Sequence, residues 1–222
     1  MTFCCAFLCV NLLACASSQS SNILTAFEDV KISTSQVYAS SNKNTNVETS
    51  TVNALMSRYP DNLDDLEKYS DYIVKGKIQE GSKSELIYAD GSDDVVMSFT
   101  TVTPLEINQV YKGDLEVGQI VEICEKYYKS EIDGKIHIRH FGDYMPSTVD
   151  GEYIFFLNKC KEGTKWEGKY SVSYFERSRY PVFPKTRSAL SVDELDYSDL
   201  NLDTGDATIY KELLKEVMDK YY

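Results

Sequence analysis

The chain is poor in the residues on which most catalytic and metal chemistry is built. It has two histidines, His137 and His140, and one tryptophan among 222 residues. On a strand the two histidines point to opposite faces, because three is an odd separation, so they do not readily share one metal ion. No G-x-S-x-G, H-E-x-x-H or P-loop sequence occurs. Cysteine is scarce in the body of the chain. Cys4, Cys5, Cys9 and Cys15 crowd the first 15 residues, which leaves only Cys124 and Cys160 beyond them. Two cysteines without a nearby histidine pair leave zinc short of ligands. The sequence thus calls for no metal and no cofactor, and it promotes no catalytic residue.

Basic residues are also in short supply. Lys and Arg total 23 against 35 Asp and Glu, for a formal net charge of -12. Such a surface repels phosphate backbones, so nucleic acid is not an expected partner. Adsorption to anionic lipid through a basic patch is disfavoured for the same reason. What the chain does have is 42% hydrophobic residues, enough for a packed core. Its 17 Tyr outnumber its 9 Phe. Tyr suits half-buried strand positions, where the ring packs and the hydroxyl reaches water, so the excess points to β structure.

The N-terminus carries the clearest signal. Residues 1–14, MTFCCAFLCVNLLA, contain no charged side chain, and the run stops at Cys15, after which the chain turns polar. It is shorter than the roughly 20 apolar residues that a membrane-spanning helix needs, and it has the form of an export signal. Leu12-Leu13-Ala14-Cys15 resembles the bacterial lipobox, in which a Leu stands three residues before a Cys and a small residue directly before it. The resemblance implies that the Cys15 thiol takes a diacylglycerol group and that residues 1–14 are then removed. The membrane would be the partner, through the lipid. No Lys or Arg opens the run, which departs from the pattern of a signal; we read the true translation start as lying upstream. The alternatives are cleavage after Ala14-Cys15-Ala16, which would give a secreted protein, and a cytosolic chain with an apolar N-terminus.

Residues 15–51 read as a flexible tether rich in Ser, Thr and Asn, with a short alternating piece at Val30 to Val37. The folded domain is expected over 52–222. Asp61 to Ser70 predicts a short helix, with Pro60 before it and acidic residues in its first turn. Strands are expected at Tyr72–Ile78, across Val95–Val110 with a break or bend at Pro104, and at Gln119–Cys124, Ile136–Phe141, Glu152–Leu157 and Tyr170–Phe175. Asp133-Gly134 is a hairpin turn signal. Ala207 to Tyr222 predicts a C-terminal helix with Leu213, Leu214 and Val217 on one face. No βαβ alternation is visible, so the expected class is mainly β: a small antiparallel barrel with a short N-terminal helix and a C-terminal helix.

Four segments in order carry a further resemblance: Ser70-Asp71-Tyr72-Ile73-Val74-Lys75-Gly76-Lys77-Ile78, Val110-Tyr111-Lys112-Gly113-Asp114, Val117-Gly118-Gln119-Ile120-Val121, and Asp150-Gly151-Glu152-Tyr153-Ile154-Phe155-Phe156-Leu157. The series resembles a group of small secreted bacterial domains of unknown function. That likeness implies an OB-like barrel, similar in outline to the inhibitory domain of tissue metalloproteinase inhibitors, over residues 62–180. It implies no catalytic residue. Those inhibitors bind zinc through a free N-terminal Cys, whereas here Cys15 would be lipidated and remote, so that activity is not carried over.

Two smaller candidates remain. Cys124 and Cys160 stand near strand ends and are a candidate disulfide, provided their Cα atoms lie within about 7 Å; otherwise they fill space unpaired. Asp199, Asn201 and Asp203 place oxygen ligands at the first, third and fifth positions of a calcium-loop pattern. However, the glycine falls one place late and Tyr210 stands where a Glu belongs. Capping of the last helix by Thr204 or Asp206 is the preferred reading. In function the sequence suggests an extracytoplasmic lipoprotein that acts as a binding module for an extracellular protein, peptide or glycan. The alternative is an exported hydrolase acting on envelope material, which would need one of the histidines clustered with two carboxylates in a pocket.

Overall fold

The computed structural model describes residues 30–32, 38–41, 46–56, 59–183 and 191–222; the signal-like segment, Cys15 and most of the expected tether lie outside them. Four short strands come first: β1 (Val30–Ile32), β2 (Tyr38–Ser41), β3 (Val47–Val52) and β4 (Ala54–Met56). β1 pairs with β4, and β2 with β3, both antiparallel. The expected tether and domain boundary at 51 and 52 therefore falls inside a strand. Val47 to Val52, in the sequence VETSTV, alternates β-branched with short polar residues, and this is the pattern of a half-buried strand.

Helix α1 (Leu63–Lys68) is capped by Asn62, whose Oδ1 accepts the Asp65 N–H at 2.9 Å, and it buries Leu63 and Leu66. Seven strands then follow: β5 (Tyr72–Ile78), β6 (Lys83–Tyr88), β7 (Val96–Lys112), β8 (Ile120–Glu125), β9 (Tyr127–Ile132), β10 (Lys135–Phe141) and β11 (Glu152–Lys159). After β12 (Tyr170–Val172) come a 3-10 turn at Phe175–Ser178, β13 (Arg179–Pro181), α2 (Tyr197–Leu200) and α3 (Thr208–Tyr221).

β5, β7, β8, β12 and β11 close into a five-stranded barrel. In chain order these are strands one, two, three, five and four around the ring. The pair that closes it, β8 with β12, is parallel, and the other four pairings are antiparallel. This is the strand order of an OB-like barrel, and the fold class is mainly β, as expected. Between the third and fourth barrel strands the chain makes an excursion, the β9–β10 hairpin. Its turn residues Asp133 and Gly134 both have positive φ (52° and 74°), the primed geometry that suits strand twist. β10 accepts β3 as a parallel neighbour, which gives a second sheet ordered β2-β3-β10-β9.

Pro104 does not break β7, which runs through it for 17 residues. On one side β7 pairs with β6 as far as Val102 and with β5 from Leu105 onward, so Pro104 stands where the partner changes. Its carbonyl accepts the Gln79 N–H at 2.9 Å. The missing donor thus falls at a gap in the ladder, the setting in which proline is tolerated inside a strand.

β11 divides two cores. Tyr153, Phe155 and Leu157 face the barrel interior with Val74, Leu105, Ile107 and Ile123. Ile154 and Phe156 face the other way, onto Leu66, Leu213, Leu214 and Val217 of α1 and α3. Both Phe155 and Phe156 are fully buried. Truncating a buried Phe to Ala typically costs about 3–5 kcal/mol. We therefore expect Phe155→Ala and Phe156→Ala each to lower the urea midpoint sharply, and removal of residues 207–222 to shrink only the Phe156 penalty. An unchanged Phe156 penalty in the truncated chain would show that α3 does not cover that face.

Candidate functional site

Polar groups converge where the excursion, the 3-10 turn and the acidic segment before α3 meet. His140, at the end of β10, is buried. Its Nδ1 lies 2.8 Å from the Gly142 carbonyl, and its Nε2 lies 3.1 Å from Asp203 Oδ2. Both ring nitrogens face oxygen acceptors, so both bonds form together only when each nitrogen carries a hydrogen. Asp143 follows two residues after Gly142's neighbour Phe141 and packs directly on Gly205. A Cβ on that glycine would run into the Asp143 carboxylate, so a side chain there would force Asp143 to move.

Glu176 enters from the 3-10 turn behind Phe175, whose φ of 46° is an outlier for a bulky residue. Phe175 is held in place by stacking on Phe141, with centroids 5.6 Å apart. A backbone strain of this kind costs about 1–3 kcal/mol and persists only where packing enforces it. The strained turn aims the Glu176 carboxyl inward. One oxygen accepts a short bond from the Tyr59 hydroxyl, and Oε2 is buried without a hydrogen-bond partner. Burial, reinforced by Asp143, pushes Glu176 above the usual carboxylate range. Burial does the same to Asp143. Asp203 goes the other way, because its bond from His140 outweighs its burial.

One histidine and three carboxylates are thus assembled from β10, the turn that follows it, the 3-10 turn and the segment before α3. These are residue types that a hydrolase uses. The ring of His140 has no exposed side-chain area, however, and both its nitrogens are engaged. No position is left for a water or substrate to share the ring. As it stands, the cluster is a polar staple that joins the second sheet to the C-terminal segment.

The structure separates the other candidates. His137 lies on the opposite face of β10, 3.4 Å from Glu48 Oε2. The calcium-pattern residues turn three ways. Asp199 caps α2 with Asp196, and Asn201 accepts from the Tyr153 hydroxyl at 2.8 Å and donates to Thr148. Asp203 is held by His140. Among the described residues no group of three or more His, Cys, Asp or Glu side chains is arranged to hold a metal ion. The N-cap of α3 is Ala207, without a side-chain cap bond, so neither Thr204 nor Asp206 holds that position; Asp206, one residue further out, accepts the Thr208 N–H at 3.0 Å. Cys124 and Cys160 are free thiols in one small apolar cluster.

Glu125 and Arg179 carry no local signal in the sequence. Both side chains are fully buried, with Nη1 3.6 Å from Oε1. A groove lined by Glu67, Lys68, Tyr111, Lys112 and Lys220 carries an ion pair of its own, Lys220 with Glu67 at 2.5 Å.

Among the described residues no helix is long and apolar enough to cross a membrane. Comparison with known proteins returns no matching family model, no matching curated protein and no matching solved structure.

The His140–Asp203 bond has a testable sign. Asp203 titrates below its unfolded value, so the stability it contributes is present above the unfolded carboxylate range, near pH 4, and is lost as pH falls through its folded value. Asp203→Asn should cost about 1–2 kcal/mol at neutral pH. The gap between variant and wild type in urea midpoints should close as the solution is acidified below that range. A gap that stays constant through the acid range would contradict the assignment.

Proposed function

We propose that this chain is a cell-envelope lipoprotein, anchored outside the cytoplasm by a lipid on Cys15, whose domain acts as a binding module for an extracellular protein, peptide or glycan. The anchoring part rests on the apolar run and the Leu12-Leu13-Ala14-Cys15 motif. The binding part rests on one observation, the tip of the β6–β7 arm.

β7 meets β8 only from Thr101 onward, so its first residues pair with β6 alone and form a two-stranded ribbon beyond the barrel. At the end of this ribbon Tyr88, Val95, Val96 and Met97 are all exposed, and Val95 keeps 54% of its area open. Single exposed apolar residues are ordinary, but four gathered on one hairpin tip are an interaction signature. Asp90, Asp93 and Asp94 surround them. The tip is fixed by its own bonds: the Ala89 N–H donates to the Val95 carbonyl at 2.8 Å, and Ser92 Oγ accepts from the Val95 N–H at 3.0 Å. A preformed hairpin loses little conformational freedom on binding, which favours affinity. The alternative, an exported hydrolase, draws on the His140 cluster; it requires a rearrangement that opens that ring to substrate.

Two measurements test the reading. Metabolic labelling with a fatty-acid analogue is expected to mark the protein, and Cys15→Ser is expected to abolish the mark; label retained by the variant would sink the anchor. A photo-crosslinker at Val96 is expected to capture a discrete envelope component, and Val95→Lys with Met97→Lys should remove the product. Those surface changes should shift stability by no more than about 0.5 kcal/mol. Capture that persists in the charged variant would rule out the tip as the binding surface.

A further inference from the structure

The segment 203–207, which leads into α3, is held unevenly along its length. Just before it Asn201 is gripped: its carbonyl accepts from Arg179 Nη2 at 2.7 Å, and its Oδ1 accepts from the Tyr153 hydroxyl at 2.8 Å. Just after it α3 is fixed by buried Leu213, Leu214 and Val217. Between these fixed points Thr204, Gly205 and Asp206 are exposed. The ties of the segment to the body include the bond from the Asp203 N–H to the Asp143 carbonyl at 3.0 Å and the contact of Asp203 Oδ2 with His140 Nε2 at 3.1 Å. Gly205 packs on Asp143, and its carbonyl accepts from the Tyr197 hydroxyl of α2.

His140 has no exposed side-chain area, and an oxygen meets each ring nitrogen, the Gly142 carbonyl at 2.8 Å and Asp203 Oδ2 at 3.1 Å. A neutral ring carries one N–H and one lone pair. It satisfies one of these oxygens and turns its lone pair on the other, which is costly in a buried site. A doubly protonated ring satisfies both and sets a positive charge among carboxylates. Asp203 faces it from the segment and Asp143 from the turn after β10, and Asp206 acts on Asp143 in turn. Its strand neighbours, Tyr127 on β9 and Thr51 on β3, bring no charge. Once the ring is neutral, Asp143, Asp203 and Asp206 are left to repel one another across the seam.

We infer that His140 is a proton-operated latch: doubly protonated, it closes the end of β10 onto the segment 203–207, and loss of a ring proton as pH rises releases that segment while the barrel and α3 stay folded. Histidine suits such a role because, as a residue type, it changes charge between about pH 5 and 8. A second group in the seam works in the same direction. Glu176 Oε2 is buried without a hydrogen-bond partner, so the charged form is disfavoured there. Burial, aided by Asp143 and opposed by Tyr59 and Arg177, holds Glu176 above its unfolded value. The stability that its neutral form contributes is complete below the usual carboxylate range and is lost as pH rises through the folded value. On the acid side the latch is bounded by Asp203, whose protonation removes the charge that the ring is paired with.

The test is amide hydrogen exchange on the full chain, corrected for the intrinsic effect of pH. Between about pH 5 and about pH 8 the protection of residues 203–207 should fall about tenfold or more, the size expected for loss of one charge-assisted bond. Tyr153–Leu157 of β11 should keep its protection over the same range. Nitrogen NMR of the imidazole rings, with His137→Gln to tell the two histidines apart, should show the His140 ring passing from two N–H groups to one as that protection falls. This readout does not require a change at His140. His140→Gln should leave 203–207 weakly protected at both ends of the range, with little remaining dependence on pH. The proposal is overturned if the His140 ring keeps one state throughout, if the protection of 203–207 ignores the change in the ring, if β11 loses protection in parallel, or if His140→Gln retains the full effect of pH.

Discussion

The fold depends on a buried charge pair. Glu125, at the end of β8, and Arg179, in β13, are both cut off from water. A lone buried ion is not tolerated, because the effective penalty is several kcal/mol even after relaxation. Each ion is therefore surrounded by partners. Glu125 accepts from Thr103 at 2.5 Å, from the Tyr144 hydroxyl at 2.9 Å and from Ser147. Arg179 donates to the Met145 carbonyl at 2.6 Å, to Ser147 at 3.0 Å and to the Asn201 carbonyl at 2.7 Å, and it lies over the rings of Tyr144 and Tyr153. Its Nε alone is left without a partner. These groups come from the barrel, the excursion, β13 and the segment after α2. A barrel whose strands came from elsewhere in sequence would not by itself say where those outlying pieces belong; the charge pair does.

The His140–Asp203 staple repeats the device one layer out. It fixes the end of β10 to the same C-terminal segment that receives Arg179. The Tyr144–Leu202 bridge and the bond from the Asp203 N–H to the Asp143 carbonyl, at 3.0 Å, close the seam between the two. These polar contacts add to apolar burial: Tyr127, Ile138 and Phe141 of the excursion join the barrel core, and Leu200 and Leu202 before α3 join the core beneath the helices. The seam is also where backbone strain collects, at Phe175. Strained and desolvated groups gather where structure is over-determined, and here they serve attachment rather than an open pocket.

Much of the barrel is legible in the sequence because it obeys a local rule. Tyr72–Ile78 and Glu152–Leu157 alternate or run apolar, Asp133-Gly134 names its turn, and α3 shows its apolar face at helical spacing. What escapes has no local signature. β6 is half-exposed along most of its length, so Lys83–Tyr88 shows no alternation. β13 spans three residues, too few for a period. The parallel closure of β8 on β12 joins segments about 45 residues apart, and no turn connects them. β3 was hidden in a polar, Ser- and Thr-rich stretch that composition alone reads as a tether. The site was harder still. Glu125 and Arg179 look like ordinary surface charges in the sequence, and only the assembled fold removes the water from them.

The central claim is that Glu125 and Arg179 act as one unit that holds the outlying segments to the barrel. A double-mutant cycle with Glu125→Gln and Arg179→Met, read by urea unfolding, tests it directly. Each single change leaves a buried group without its counterpart and should cost about 3–5 kcal/mol. The double variant should cost less than the sum by about 1–3 kcal/mol, the coupling found for groups in one network. Costs that add without coupling would mean that each residue acts alone and that the pair does not organise the fold.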